Sequence, residues 1–391
     1  MAPIRMERYP IGAAVTVDEL TADPHPRLAQ LRAREPVSWL PALDGWLVTR
    51  HDLALRVLRD AGTFTVDDPR FSTGRVVGRS MLTSEGREHA RHRDPFAPPF
   101  RRDAIHDRFT TLVATEVDRL IDAMADGRAE LRRSFAGPLA AAVVASALGL
   151  GHLVTSTILR WYDAIVGSVS AISAGEPATP AGAVAAARLR ESVAEALDRD
   201  TGGSLLAACE AGGGLTRPEV ISNAAVLLFG GIETTEGMIV NAVTHLLAHP
   251  DQRAVVEADR GVLPSAIEES LRLEPAAAVV DRYATRDARI GEAEIRRGDL
   301  VSVSVAGANR DPAVFVEPAR FDVRRRNAGR QIAFARGPHI CIGMHLARLE
   351  AHIALARLLE RLPGLGLDPT EPVAARGLVF RKPPALLVRW G

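Results

Sequence analysis

Apolar residues recur at three- and four-residue steps along most of the 391-residue chain, the spacing that gathers side chains on one face of an α-helix. The clearest run is Ile342, Leu346, Leu349, Ile353 and Ala356, which predicts a helix beginning at or just after Cys341. A second long helix is expected from about Pro218 to His249, where Pro250 removes the next backbone donor. No residue from Ser134 to Leu159 is charged, but Pro138, Gly149, Gly151 and His152 interrupt the stretch. A short buried helix over Leu139 to Leu148 is expected there rather than a membrane span. Two-residue alternation is confined to WLPALDGWLVTR near the start, ARIGEAEIRRGDLVSVSV after residue 280, and a short strand-like piece from Gln331 to Phe334. SAGEPATPAGA (173–183) and AGGGLTRPEV read as loops. With no internal repeat and no linker, the pattern predicts a mostly α protein with a small β-rich lobe, folded as a single domain over residues 1–391.

Composition narrows the function. Lys+Arg 48 balances Asp+Glu 48, so there is no global field to attract nucleic acid or an anionic membrane. Lys382 is the single lysine, a bias that reads as codon usage and not as a device. Cys209 and Cys341 make no disulfide framework, which fits a reducing compartment and leaves a cysteine for chemistry. The start, MAPIRMERYPIG, carries Arg5, Glu7 and Arg8 with no apolar core, so a soluble, cytoplasmic protein without a membrane anchor is expected.

Cys341 stands in FARGPHICIG, between the turn dipeptide Gly337-Pro338 and the start of a helix. Unpaired N–H groups and the dipole at a helix start favour a thiolate, and a bound metal deprotonates it outright. Gly343 lets backbone approach the sulfur without a Cβ in the way. A structural zinc is excluded because no second thiol or Cys/His pair lies at ligand spacing. A nucleophilic cysteine with His339 or His345 as base stays open on spacing alone. Most lone cysteines are buried small hydrophobes, but this turn and helix start argue against that.

The series Phe334, Gly337, Cys341 and Gly343, with His339 between, resembles the haem loop of cytochromes P450. Ala335 departs from it, standing where a glycine usually follows the phenylalanine. Further motifs follow in the family's order, and the resemblance runs from VVGRSMLTSEGREHARHR to RGLVFRKPP near the end. It implies the cytochrome P450 fold and haem b (iron protoporphyrin IX) as cofactor, with Cys341 as the iron ligand. Gly230-Gly231-Ile232-Glu233-Thr234-Thr235 lies within the long helix, where each glycine costs about 0.8–1 kcal/mol against alanine. Such a pair either packs a neighbouring helix closely or makes room. By resemblance it is the family's oxygen-binding groove, with Gly231 against the cofactor, Glu233 relaying protons and Thr234 bonding dioxygen. Phe334 and Gly343 would flank the cofactor on the ligand side. His89 and Arg93, at i and i+4, would hold haem propionates together with Arg282 and His339; read alone, each is an ordinary polar residue. Glu269 and Arg272, three apart in AIEESLRLEP, precede ANRDP and EPARFD, and the resemblance joins them to Arg320 as a structural triad.

The implied reaction inserts one oxygen atom from dioxygen into an unactivated bond, the thiolate donating electron density to iron. Electrons would come from a ferredoxin and a ferredoxin reductase, since no flavin or nicotinamide region is seen. Arg320, Arg324, Arg325, Arg326, Arg330, Arg336 and Arg348 form a candidate docking face for an acidic ferredoxin, or simply a solvated arginine run. Val76, Val77, Met81, Leu82, Leu228, Ile232, Ala276 to Val280 and Leu378 to Phe380 would line a pocket for a hydrophobic small molecule, for instance an intermediate of secondary metabolism. The protein would act as a monomer. Two other readings stand beside this one. A peroxide-driven enzyme on the same fold is disfavoured by the intact Glu233-Thr234 pair. A non-catalytic recruitment module is disfavoured because neither that pair nor the cysteine is lost.

Overall fold

The computed structural model describes residues 2–124, 127–173, 175–199, 205–370 and 373–391. Contacts divide the chain into two units, one of residues 1–68, 248–341 and 373–384, the other of residues 69–247, 342–372 and 385–391. Helices dominate the described residues and strands are few, as the periodicity predicts.

The first unit is built on a five-stranded sheet in the order 37–40, 45–48, 300–304, 279–284, 64–65, antiparallel except for the parallel pair 45–48 with 300–304. The two longer stretches that showed two-residue alternation supply strands to this unit, the second also giving the hairpin 288–290 with 293–295. Asp44 turns the first hairpin in the left-handed conformation, φ 46°, so Trp39 and Trp46 fall opposite each other with ring centroids 5.5 Å apart. Edge-on aromatic pairs of this kind add to the area they bury. The Trp46 indole N–H donates to Asp299 Oδ2 at 2.8 Å, and Arg5 donates to the same carboxylate at 2.8 Å while lying over the Trp39 ring. The sheet face carrying Val301 and Val303 packs with Val48, Val57, Leu58 and Ile332 in one apolar cluster.

In the second unit, helix 102–122 packs on helix 344–361 and helix 155–173 packs on helix 180–199. Its long helix spans Arg217–Ala248, matching the expectation. It is the one helix among the described residues long and apolar enough to cross a membrane, and 78% of its most apolar window is buried. The uncharged stretch forms helix Gly137–Ala147, with most of its side chains buried. The loop expected over 173–183 is shorter than that, because a helix resumes at Pro180. Proline suits a first helical position, and Thr179 Oγ1 accepts from the Gly182 N–H at 3.1 Å to cap it. Gly182 itself is a packing residue, since a Cβ there would lie 2.4 Å from Ser168 Cβ.

Two further expectations are corrected. Gln331 to Phe334 is not a strand. Its N–H groups are taken by side chains, Ile332 N–H by Asn309 Oδ1 at 2.8 Å and Ala333 N–H by Gln331 Oε1, which leaves no ladder to build. The helix after the cysteine starts later than Cys341, at Met344, with Gly343 at its N-cap.

The triad is also reassigned. Arg272 and Glu269 are fully buried, and the Arg272 guanidinium spends all five N–H groups: on both Glu269 oxygens at 2.7 and 2.8 Å, and on the carbonyls of Asn309 (3.1 Å), Pro318 (2.7 Å) and Arg320 (3.0 Å). The second arginine on Glu269 is Arg325, whose Nε lies 2.9 and 3.0 Å from its oxygens. Arg320 contributes only its carbonyl, while its side chain pairs with Glu317 in solvent at 3.3 Å. Sequence order favoured Arg320, but the turn at Asp322 carries the chain back so that Arg325 faces the buried carboxylate; the Asp322 N–H itself donates to Glu269 at 3.1 Å.

Removing a partner of a buried ion pair costs far more than removing an exposed one. Arg325→Ala is expected to lower stability by about 2–4 kcal/mol, and Arg320→Ala to stay within about 0.5 kcal/mol of wild type. Thermal unfolding of the two holoproteins checks this; equal losses would restore Arg320 to the triad.

Candidate active site

The loop from Gln331 to Cys341 is fixed before any cofactor is considered. Gln331 is fully buried and donates to Glu268 at 3.0 Å, while its carbonyl accepts from Arg336 at 2.6 Å. Asn309, from the ANRDP segment, accepts the Ile332 N–H with its side chain and holds Arg272 with its carbonyl. The Glu-x-x-Arg helix and the cysteine loop are therefore joined directly, by Gln331 on Glu268, and through Asn309. Within the loop, the Cys341 N–H donates to the Phe334 carbonyl at 2.9 Å, and Ile340 N–H to Gly337 O at 3.1 Å. Phe334 is buried and Cys341 half-buried.

The tight turn depends on two left-handed residues. Gly337 has φ 78°, and a Cβ there would lie 2.3 Å from the Leu58 carbonyl oxygen, so no other residue fits. Ala335 has φ 57°. The departure noted in the sequence therefore keeps the backbone shape that glycine favours, at the strain of an L-residue in that region. Arg336 braces the same turn by donating to the Ala335 carbonyl at 3.0 Å.

Gly343 differs from Gly337. No protein atom lies within 4 Å of where its Cβ would stand, so protein packing does not require a glycine there. An open flank beside Cys341 is what a cofactor edge would need. Arg282, on strand Val279–Ala284, is buried and donates to its neighbour's carbonyl at 2.7 Å, and His339 is half-buried in the loop.

In the second unit, His89 and Arg93 lie one turn apart on helix Gly86–Arg93, His89 buried and Arg93 half-buried. The long helix runs unbroken through Gly230–Thr235. Glu233 is 3% exposed, and Thr234 Oγ1 donates to the Gly230 carbonyl at 2.8 Å, a back-bond that fixes its hydroxyl along the helix. The two glycines divide the alternatives. A Cβ on Gly231 would stand 2.9 Å from Val144 Cγ2, so close helix packing explains Gly231, and the open side belongs to Gly230, with nothing within 4 Å. Of the nucleophile's candidate bases, His345 is held below its ordinary range by burial and by the charge of Arg348.

Haem b asks for one soft ligand and for cations or strong donors around two carboxylates. Each unit by itself holds residues of the kinds required: the first a cysteine on a braced turn and the buried Arg282, the second the open flank at Gly343 and the buried His89. The expected substrate-lining segments of the first unit also meet. Ala278 N–H donates to Val379 O at 2.8 Å, and Ala278, Val279 and Leu378 border a small apolar crevice together with Leu28, Leu47 and Ala306. Sequence reasoning missed the roles of Arg325, read only as one of a candidate docking cluster, and of Gln331, read only as the start of a strand. Three consecutive arginines, 324–326, hide which one turns inward, and a lone glutamine carries no signal.

Comparison with known proteins gives the class. The family model "Cytochrome P450" matches residues 187–385. Cytochrome P450 monooxygenase PikC of Streptomyces venezuelae is 36% identical over 95% of this chain and 92% of its own length. The 20-oxo-5-O-mycaminosyltylactone 23-monooxygenase of Streptomyces fradiae is 34% identical over 90% of this chain and 85% of its own. Among solved structures, P450BioI in complex with hexadec-9Z-enoic acid ligated acyl carrier protein superposes with TM-score 0.85 at 28% identity, over 94% of this chain and 99% of that one. The chain belongs to the cytochrome P450 family. It is a P450 monooxygenase, an oxidoreductase whose cofactor is haem b.

Relieving the strain at Ala335 and adding it at Gly337 should have opposite effects. Ala335→Gly is expected to gain up to about 1 kcal/mol, the relief exceeding the added chain entropy, whereas Gly337→Ala should lose more than about 2 kcal/mol and lower haem retention. Thermal denaturation followed at the haem band measures both. A destabilised Ala335→Gly would mean that the left-handed turn is not what the loop requires.

Proposed function

We propose that this chain is a soluble, cytoplasmic haem-thiolate monooxygenase, a single cytochrome P450 domain over residues 1–391, that oxidises a hydrophobic natural-product intermediate. The observation that carries the reading is the braced Phe334–Cys341 turn, which presents one cysteine beside the open flank of Gly343. Cys341 would ligate the iron, with Phe334 and Gly343 flanking the cofactor and His89, Arg93, Arg282 and His339 holding the propionates. When bound, haem b supplies dioxygen activation and transfer of one oxygen atom, with thiolate donation favouring O–O cleavage.

The protein's own part is to place the substrate and deliver protons. Glu233 would take protons from solvent and pass them to Thr234 Oγ1, which the bond to Gly230 O keeps along the helix axis. Gly231 sets the separation from Val144 and Gly230 leaves the open flank. The residues expected to line the pocket, Met81, Leu82, Leu228 and Ile232 in the second unit and Ala278 and Leu378 in the first, are all apolar, which supports a hydrophobic substrate. Two relatives whose names specify monooxygenases, one of them acting on a mycaminosyltylactone, support a tailoring role.

Electrons would come from a ferredoxin and its reductase. Arg320, Arg324, Arg326 and Arg330 are exposed and could meet an acidic partner, whereas Arg325 is committed to Glu269. A substrate found by spectral-shift screening of apolar biosynthetic intermediates allows the test. With ferredoxin, reductase and NADPH, Thr234→Ala and Glu233→Gln should keep NADPH consumption but lower product per NADPH by about 10-fold or more. Wild-type reduction should slow as ionic strength rises. Full turnover with peroxide alone, unchanged in both variants, would favour the peroxide-driven reading instead.

A further inference from the structure

A polar network in the second unit plays no part in the oxygen chemistry. Asn223, near the start of the long helix, is fully buried and has its whole amide committed. Its Oδ1 accepts the Met81 backbone N–H at 2.7 Å. Its Nδ2 donates to the Glu219 carbonyl at 2.8 Å and faces His92 Nδ1 at 2.8 Å. Because the oxygen is taken by Met81, Nδ2 must point at the ring, which makes Nδ1 the acceptor and puts the ring proton on Nε2. His92 is 1% exposed, and its Nε2 lies 3.2 Å from Glu88 Oε1 and 3.5 Å from Glu219 Oε1. Glu88, His92 and Glu219 lie close enough to gather a cation, but Arg91 bonds both carboxylates and already offsets part of their charge. The ring is therefore locked on both edges, and it locks the amide in turn.

The segment that Asn223 grips is rigid in itself and jointed at its ends. Ser80 N–H donates to Thr83 Oγ1 at 2.9 Å, and Ser84 Oγ donates to Ser80 O at 2.8 Å. Gly78 and Gly86 flank it with φ 90° and 57°, and neither would meet an atom within 4 Å on gaining a Cβ. A stiff turn between two left-handed glycines can swing as a body, so the bond at Met81 fixes where it rests.

We propose that Asn223, oriented by His92, is a positioning residue that fixes the 78–84 turn against the long helix and thereby sets how large a ligand the pocket accepts. This rests on the reading that Met81 and Leu82 line the substrate pocket. Two measurements on the haem-loaded protein test it: hydrogen exchange of the peptide over residues 78–84, and spectral titration with imidazole and with 4-phenylimidazole. Imidazole needs only the iron, while the phenyl group reaches for the pocket wall.

Asn223→Leu removes the acceptor, so exchange at Met81 should accelerate about 10-fold and the ratio of the two dissociation constants should change by about threefold or more. Asn223→Asp keeps an oxygen for Met81 but loses both Nδ2 donations, so it should accelerate exchange at Met81 less than Asn223→Leu does. His92→Phe frees the amide to turn and should fall between wild type and Asn223→Leu. Wild-type exchange in Asn223→Leu, or equal acceleration in Asn223→Asp and Asn223→Leu, would overturn the proposal. If Asn223→Leu fails to retain haem, His92→Phe decides, and unchanged exchange there overturns it. Failure of the haem reading would appear separately, as no spectral response of the wild type to either azole.

Discussion

The arrangement around Cys341 depends on a buried charge that has nowhere else to go. Arg272 lies with no exposed surface, and an arginine cannot shed its proton to escape that burial. Its five N–H groups must therefore each find a fixed oxygen, and they do so on Glu269 and on three carbonyls from separate turns. Arg325 completes the shell of Glu269 and adds bonds to the carbonyls of Val316 and Arg320. Satisfying one guanidinium thus fixes the path of the chain from Asn309 to Arg325. Asn309 then passes that order to Ile332, at the foot of the cysteine loop.

The loop converts rigidity into chemistry. A thiolate ligand must arrive at one place and one angle, and a turn with two left-handed residues and a carbonyl 2.3 Å from where a Cβ would stand has little freedom to do otherwise. The proposed proton delivery asks for the same economy on the long helix. There Thr234 is held by its own backbone, and Glu233 is withdrawn from bulk water next to it. On the proposed reading, substrate choice is left to apolar walls and to the 78–84 turn, which the long helix holds through the Met81 N–H bond to Asn223.

Much of this was legible in the sequence. Spacing alone located the long helix to within a residue or so, because Pro250 and the loop before Arg217 mark its ends. Strands 37–40, 45–48, 288–290, 293–295 and 300–304 showed through their alternation, whereas 64–65, 128–130, 279–284, 366–367 and 387–389 did not, and the cysteine showed through the turn dipeptide before it. What stayed hidden was set by side chains reaching across the chain. Gln331 to Phe334 looks like a strand, yet its N–H groups are spent on Asn309 and Gln331 side chains. Arg325 could not be told from Arg320, Arg324 or Arg326 until the turn at Asp322 gave them directions. The glycine pair carried two meanings that composition could not separate, packing at Gly231 and open space at Gly230. Asn223 gave no signal, since an isolated asparagine in a helix has no pattern to announce its partners.

The central claim is that Cys341 supplies a thiolate to haem iron, and the carbon monoxide difference spectrum of the reduced protein tests it most directly. The account predicts the red-shifted band of thiolate-ligated haem in the wild type, and its replacement in Cys341→His by the band of histidine-ligated haem. A wild-type protein that takes up haem yet shows the histidine-type band, or a red-shifted band that survives in Cys341→His, would contradict it.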